Sequence, residues 1–529
     1  MKEELKSFFD DVVKKPVYWL PVLIFSIAAF GFDISNRAVS IDDLRNGIYL
    51  DSFTRWGNNL LLLLLGLTDY SPFIEKFFAL LNFILSGTLL CFLLSRYEQN
   101  KRVFGYTFLT SVLVTFPLIT EHWSYNVTIF SSSLGLLMSL LAILILQSNI
   151  SRIKRYIFAA LLMVIPISSY EASIFSYIAV FCILVFYEYV ICQKSKISIR
   201  EWLVLCITYA IPLVIALIIR FIVYGCLVLI IGVKNPNAGN SIIYWFQGDV
   251  IHNLVNMIGG NAFMYVINGL VYLPISEFVI STIVFFGIIL VLSIKRHAAS
   301  PFLLGFILFV SLFALSLLQC LPLVYRAAQS LGIFVAFVVY LVYNYFSGSS
   351  KQYIRVGCVV LLSLLCFRQS SFVNRVQSLN NQRSDNEIAT IRDVGRRLVS
   401  DFDNKPVVFV SQYYSGEWIE KRNHVDPNSW NGKLFFAICK PFEDLFAGRD
   451  YTRITRDNIG TFVWNPETAK DLLAYCGYDV DVVQYPSPLF GEAIEVAKQI
   501  NMKPYQIIDN GSYLIVKLGE KKYFAPDYE

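Results

Sequence analysis

A chain of 529 residues that is 56% apolar, 16% aromatic and only 16% charged is too apolar and too charge-poor for an ordinary soluble globule. Its net charge of +5 is scattered in short stretches between apolar runs, which excludes the massed basic patch of a nucleic-acid binder. Composition places the chain among polytopic α-helical membrane proteins.

The opening MKEELKSFFDDVVKKP mixes acidic and basic groups, and no small-residue cleavage site follows the next apolar stretch. The first apolar run is therefore expected to be an uncleaved helix and not a signal peptide. A bilayer core of about 30 Å needs about 20 apolar residues per helix. On that criterion we expect about eleven transmembrane helices, over 17–33, 73–95, 103–120, 125–147, 156–170, 172–192, 202–224, 276–294, 301–321, 327–346 and 353–369. With the N-terminus cytoplasmic, the inner side collects seventeen Lys and Arg, among them Arg96, Lys101, Arg102, Arg155 and Arg296, and the outer side five: Arg37, Arg45, Arg55, Lys234 and Arg326. That asymmetry sets the orientation, and an odd number of spans puts the C-terminus outside.

Two outer loops are too long to be mere connectors. Residues 34–72 contain SIDDLRNG, RWGNN and the apolar LLLLLLGL, which is too short to span and suits an amphipathic or re-entrant piece. Residues 225–275 mix Tyr244, Trp245, Phe246 and His252 with Gly259 and Gly260, the composition of a loop lying on or dipping into the bilayer. Near 371 the sequence turns polar, so the chain divides into a transmembrane domain, 1–370, and a small soluble α/β domain, 371–529. In the second, NEIATIRDVGRRLVSDF and EAIEVAKQI have helical periodicity, whereas KPVVFVSQYY and SYLIVKL read as strands. Tyr413, Tyr414, Trp418 and Trp430 suit either sugar stacking or a core. Cys439 and Cys476 lie in the tail, where an oxidising compartment would allow a disulfide.

Only nine carboxylates occur between residues 57 and 369, and six of them fall toward the outer ends of the spans. The sharpest constellation is Asp42-Asp43-Leu44-Arg45 after the first span, followed by Arg55-Trp56-Gly57. A carboxylate can serve as general base toward a sugar hydroxyl, and a guanidinium can hold a departing phosphate through two parallel hydrogen bonds. That is a minimal kit for glycosyl transfer from a lipid phosphate; a solvated or capping Asp pair is the bland reading beside it. Glu121-His122-Trp123 closes the third expected span and Tyr170-Glu171 the fifth. Ionisable groups at membrane depth are candidate substrate contacts, with interfacial anchoring as the competing explanation. Arg220 and Arg326 either snorkel to the interface or meet a lipid phosphate. Four scattered histidines point to no dedicated metal site. The sequence lacks GxxxxGK[ST], GxSxG, HExxH and CxxC, which argues against an ATP-driven pump, a serine hydrolase and a zinc protease.

SIDDLRNGIYLDSFTRWGNN after the first helix, SSYEAS after a later span and the closing MKPYQIIDNGSYLIVKL together resemble the serotype-converting O-antigen glucosyltransferases of the Gtr type, within the GT-C class, over nearly the whole chain. That resemblance implies a bacterial inner-membrane enzyme that takes glucose from undecaprenyl-phosphate-glucose and adds it to O-antigen, the lipopolysaccharide polysaccharide, at the periplasmic face. It implies a base at Asp42 or Asp43 in the first external loop, with Arg45 and Arg55 near the donor phosphate. Thr54-Arg55-Trp56-Gly57 departs from the Gly-Arg-Trp common in the family, and Glu171 stands where Gln is expected. No particular cofactor is implied; a divalent cation could assist the leaving phosphate, or the arginines could suffice. The competing expectations are an O-antigen polymerase or ligase, and a transporter or flippase for lipid-linked sugars. The latter should show paired internal repeats, and none is evident.

Overall fold

A computed structural model describes residues 2–36, 55–66, 72–98, 101–123, 126–193, 198–231, 248–267, 276–323, 327–402, 404–411, 466–484 and 486–519, with Trp245 and Lys433. Asp42, Asp43, Arg45, Arg326, Cys439 and the tail aromatics from Tyr413 to Trp430 lie outside the described residues.

The chain is a helical bundle followed by a small sheet. A short α1 (Lys2–Phe8) leads into α2 (Pro16–Ser35), and α3 (Trp56–Leu64) precedes α4 (Pro72–Ser95). Then come α5 (Val103–Thr115), α6 (Ile119–Trp123), α7 (Asn126–Leu146), α8 (Arg152–Ser169), α9 (Ser173–Phe186) and α10 (Ile199–Ile231). They are followed by α11 (Val250–Asn261), α12 (Ser276–Arg296), α13 (Ser300–Ser311), α14 (Ala314–Gln319), α15 (Gln329–Ser347) and α16 (Gln352–Ser400). Among the described residues eight helices, α2, α4, α7, α9, α10, α12, α15 and α16, are long and apolar enough to cross a membrane. The other three expected spans fall on α5, α8 and α13.

Local chemistry explains where these differ from the expectation. The run expected over 103–120 stops at Thr115 because Pro117 forces Phe116 out of helical geometry; α6 is a separate turn nucleated by Thr120, whose hydroxyl bonds the Pro117 carbonyl at 2.6 Å. The fifth run starts earlier than expected, at Arg152, because its cationic residues form the first helical turns. The run expected over 301–321 breaks after Ser311 into α13 and α14.

α5 and α15 form the centre of the bundle, buried along nearly their whole length and packed on each other. At the periphery, α10 exposes Phe221, Ile222, Leu229 and Ile230, the last two more than 80% exposed. An apolar surface that continuous has lipid as its solvent.

The bundle is chemically polarised. At one end Glu98 accepts hydrogen bonds from the hydroxyls of Tyr106 (2.8 Å), Tyr187 (2.6 Å) and Tyr340, clamping α5, the π-helical turn Tyr187–Ile191 that follows α9, and α15 together. Arg102 there bonds Asn344 O and Ser347, Arg296 bonds Val190 O at 2.6 Å, and Arg96 bonds Gln147 at 2.7 Å. The opposite end carries Asp33, Glu75, Glu121, Glu171 and Glu277, each at or beside a helix terminus.

The polar shift at 371 does not interrupt the backbone. α16 runs unbroken for 49 residues, burying Cys366 and Val373 in the bundle core and Ile391, Val394 and Leu398 against the sheet. Helical periodicity outlasts the apolar composition, so the solvent changes while the helix continues. Beyond it, β1 (Val407–Ser411), α17 (Pro466–Tyr475), α18 (Pro488–Gln499), β2 (Gln506–Asp509) and β3 (Leu514–Lys517) give a sheet of order β1-β3-β2. β1 and β3 are parallel and β2 and β3 antiparallel. α18 covers one face through Phe490 and Ile494, and α16 with α17 covers the other. Covering on both faces explains the unbroken apolar VVFV of β1.

Candidate functional site

The candidate site is built where α3, α6, α7, α8 and α10 meet at the acidic end. α3 reaches α8 closely because residue 57 is glycine: a Cβ there would sit 2.7 Å from Ser168 Cβ. The leucines that follow split as an interfacial segment should, with Leu62 buried and Leu63 and Leu64 exposed. This seating places Arg55, the N-cap of α3, with its guanidinium 5.6 Å from the Tyr170 ring centroid.

Tyr170 ends α8. Its backbone is extended and its N–H bonds the Pro166 carbonyl, and a tight turn to Ser173 then starts α9. The buried Tyr170 ring meets His122 edge to face at 4.8 Å, and His122 Nε2 bonds the Ser132 hydroxyl of α7. Arg55, Tyr170, His122 and Ser132 thus form one chain of contacts across four elements. Trp56, next to Arg55, has a buried indole N–H, and Asn58 a buried side-chain oxygen, with no hydrogen-bond partner among the described residues. Buried polar atoms left without partners beside Arg55 fit a binding site for a polar ligand.

Glu171 and Arg220 join this group as an ion pair at 2.5 Å, holding α10 against the α8–α9 turn. Arg220 therefore does not simply snorkel; a carboxylate orients its guanidinium. Trp123 is not an interfacial anchor either. It is fully buried and stacks on Phe30 at 4.1 Å, which seats Glu121 and His122, both buried, inside the bundle end.

One buried pair escapes the sequence reading. Lys76, 1% exposed, lies 2.7 Å from Asp33, 3% exposed, and its ammonium also donates to the Asp33 carbonyl at 3.3 Å. A lone Lys inside the apolar run of α4 was the available signal, because such a charge at membrane depth needs a partner. A second polar contact involves Gln369 of α16, which donates to Glu277 at 2.6 Å and accepts from Thr115 at 2.8 Å.

Compared with known proteins, the chain matches the family described as glucosyl transferase GtrII over residues 31–346, more than half of its length. No curated protein and no solved structure matches it.

Proposed function

The chain belongs to the GtrII glucosyl transferase family and is a glycosyltransferase, and from that premise we propose that it moves glucose from undecaprenyl-phosphate-glucose to O-antigen at the periplasmic face of the bacterial inner membrane. The observation that carries this reading is the contact chain Arg55, Tyr170, His122 and Ser132, with the Glu171–Arg220 pair beside it, at the bundle end opposite the Lys- and Arg-rich end. The positive-inside rule makes the cationic end cytoplasmic, so this site faces the compartment where the acceptor polymer is found.

The reaction is a single displacement. Asp42 or Asp43 takes the proton from an acceptor hydroxyl as its oxygen attacks the anomeric carbon, and the bond to the phosphate oxygen breaks with inversion. Arg45, Arg55, Arg220 and Arg326 supply positive charge to the departing prenyl phosphate, while Trp56, Tyr170, Glu121, His122 and Glu171 border the sugar. The lipid chain lies along α3 and α10, whose exposed leucines and isoleucines match it. The domain from 371 onward is the periplasmic unit of this reading.

Separate Asp42→Asn and Asp43→Asn variants, assayed for hexose on O-antigen by mass analysis, test the base. Loss of hexose in one of them is expected; full activity in both removes the mechanism. Between cells with and without the wild-type chain, a change in O-antigen length instead of added hexose would indicate a polymerase, and loss of all surface polymer in its absence a flippase.

A further inference from the structure

The stretch of α16 between the bundle core and the sheet has an unusual buried face. Gln377, Asn380, Asn381, Ser384 and Glu387 are spaced at helical intervals on one side and are all buried. The Gln377 side-chain nitrogen, the Asn380 side-chain nitrogen and the Asn381 side-chain oxygen have no hydrogen-bond partner among the described residues. The apolar residues interleaved with them, Val376 and Leu379, are buried yet belong to neither the bundle core nor the cores flanking the sheet.

A belt that only joined two bodies would be apolar or internally bonded, because a buried amide without a partner costs stability. The three groups without partners on this face are uncharged amides. Primary amides donate and accept side by side, which matches adjacent hydroxyls of a neutral sugar. The location fits as well. Gln369, on the same helix, sits at the outer end of the bundle, and α16 packs on α6, which bears His122. Asn380 lies 11 residues further, about 16 Å along the helix, and Gln377 to Glu387 spans about 15 Å, the reach of a short oligosaccharide.

We propose that this amide face of α16 is the subsite for the acceptor polysaccharide, a neutral glycan held by Gln377, Asn380 and Asn381 while one of its hydroxyls enters the site below. The proposal rests on the glucosyl-transfer reading for the identity of its ligand.

The test uses the full chain in lipid nanodiscs, with Gln377→Leu, Asn380→Leu and Asn381→Leu, near-isosteric changes that remove the polar atoms. The probe is neutral O-polysaccharide released from lipopolysaccharide by mild acid, titrated without donor, alongside hexose transfer. Each variant is expected to melt at or above the wild-type temperature and to bind the polysaccharide roughly tenfold more weakly, the weight of one lost hydrogen bond. Acceptor KM should rise similarly, with donor KM unchanged. Variants that bind like the wild type, or that lose stability while binding is kept, overturn the subsite, as does a wild type that does not bind the polysaccharide. Binding that the variants lose, in a wild type that transfers no hexose, supports the subsite and refutes the glucosyl reading instead.

Discussion

The Asp33–Lys76 pair allows a quantitative test of how the acidic end is held together. At 2.7 Å, with an effective dielectric near 20, the two charges attract by about 6 kcal/mol. Burying each ion costs several kcal/mol, so the intact pair adds little net stability. Removing one partner is different. Lys76→Met strands the Asp33 carboxylate among apolar residues and should cost about 3–5 kcal/mol, and Asp33→Asn should cost a similar amount by stranding the ammonium. The double variant should recover most of the loss, giving a coupling of at least about 3 kcal/mol in a double-mutant cycle. Unfolding of the purified protein in mixed micelles by added SDS, followed by tryptophan fluorescence, measures this. Additive single losses would refute the reasoning, because they would mean that water or another group already compensates each charge. The pair ties the end of α2, just before the segment that bears Asp42 and Asp43, to α4, so single variants should also lose transferase activity that the double variant regains.

Three further outcomes are expected. Gly57→Ala should drive α3 off Ser168 and lower donor turnover at least tenfold, with partial recovery in Gly57→Ala/Ser168→Gly; unchanged turnover in the single variant would show that the α3–α8 contact does not position Arg55. Glu171→Gln should destabilise by less than about 1 kcal/mol, since Glu171 is partly exposed, yet raise donor KM about tenfold by freeing the Arg220 guanidinium; an unchanged donor KM removes Arg220 from the phosphate. Near the sheet, the Lys405 ammonium at 2.6 Å and then the Gly511 N–H hold Asp509 below its ordinary value of 3.8. Because the folded value is depressed, this stabilisation is present above the unfolded value and is lost as pH falls through the folded one. Amide exchange in β2 and β3 should therefore speed up from about pH 5 to about pH 2 more in the wild type than in Asp509→Asn, once corrected for intrinsic rates. Equal acceleration would sever that link.

What the sequence disclosed follows from which forces leave a one-dimensional trace. Apolar length and the Lys/Arg asymmetry are direct imprints of the bilayer, so each expected span has a helix near it. Boundaries were less legible: Arg152, Lys154 and Arg155 look like a loop, yet they begin α8 because long cationic side chains can extend from helical positions toward water. The break after Ser311 has neither Gly nor Pro to announce it. In the tail, VVFVS and LIVK declare themselves as strands, whereas Gln506–Asp509 pairs at an edge with its ends exposed and carries too little apolar signal. Arg55, Trp56, His122, Tyr170, Glu171 and Arg220 were legible one by one as polar or aromatic residues at span ends. Their assembly was not, because it depends on Pro117 turning α6 inward and on Gly57 admitting Ser168. The Asp33–Lys76 pair joins residues 43 apart in sequence, and no local pattern links them.

The unbroken α16 makes angular register a property of this protein. Each residue of an α-helix adds about 100° of rotation and 1.5 Å of advance, so the azimuth of the sheet about the bundle is set by the number of residues between Val373 and Ile391. One inserted residue would swing everything beyond it by more than a quarter turn, whereas seven would restore the heading to within about 20° at the expense of about 10 Å of height. Spacing in this rod, more than the identity of its exposed residues, decides which surface of the sheet turns toward the bundle.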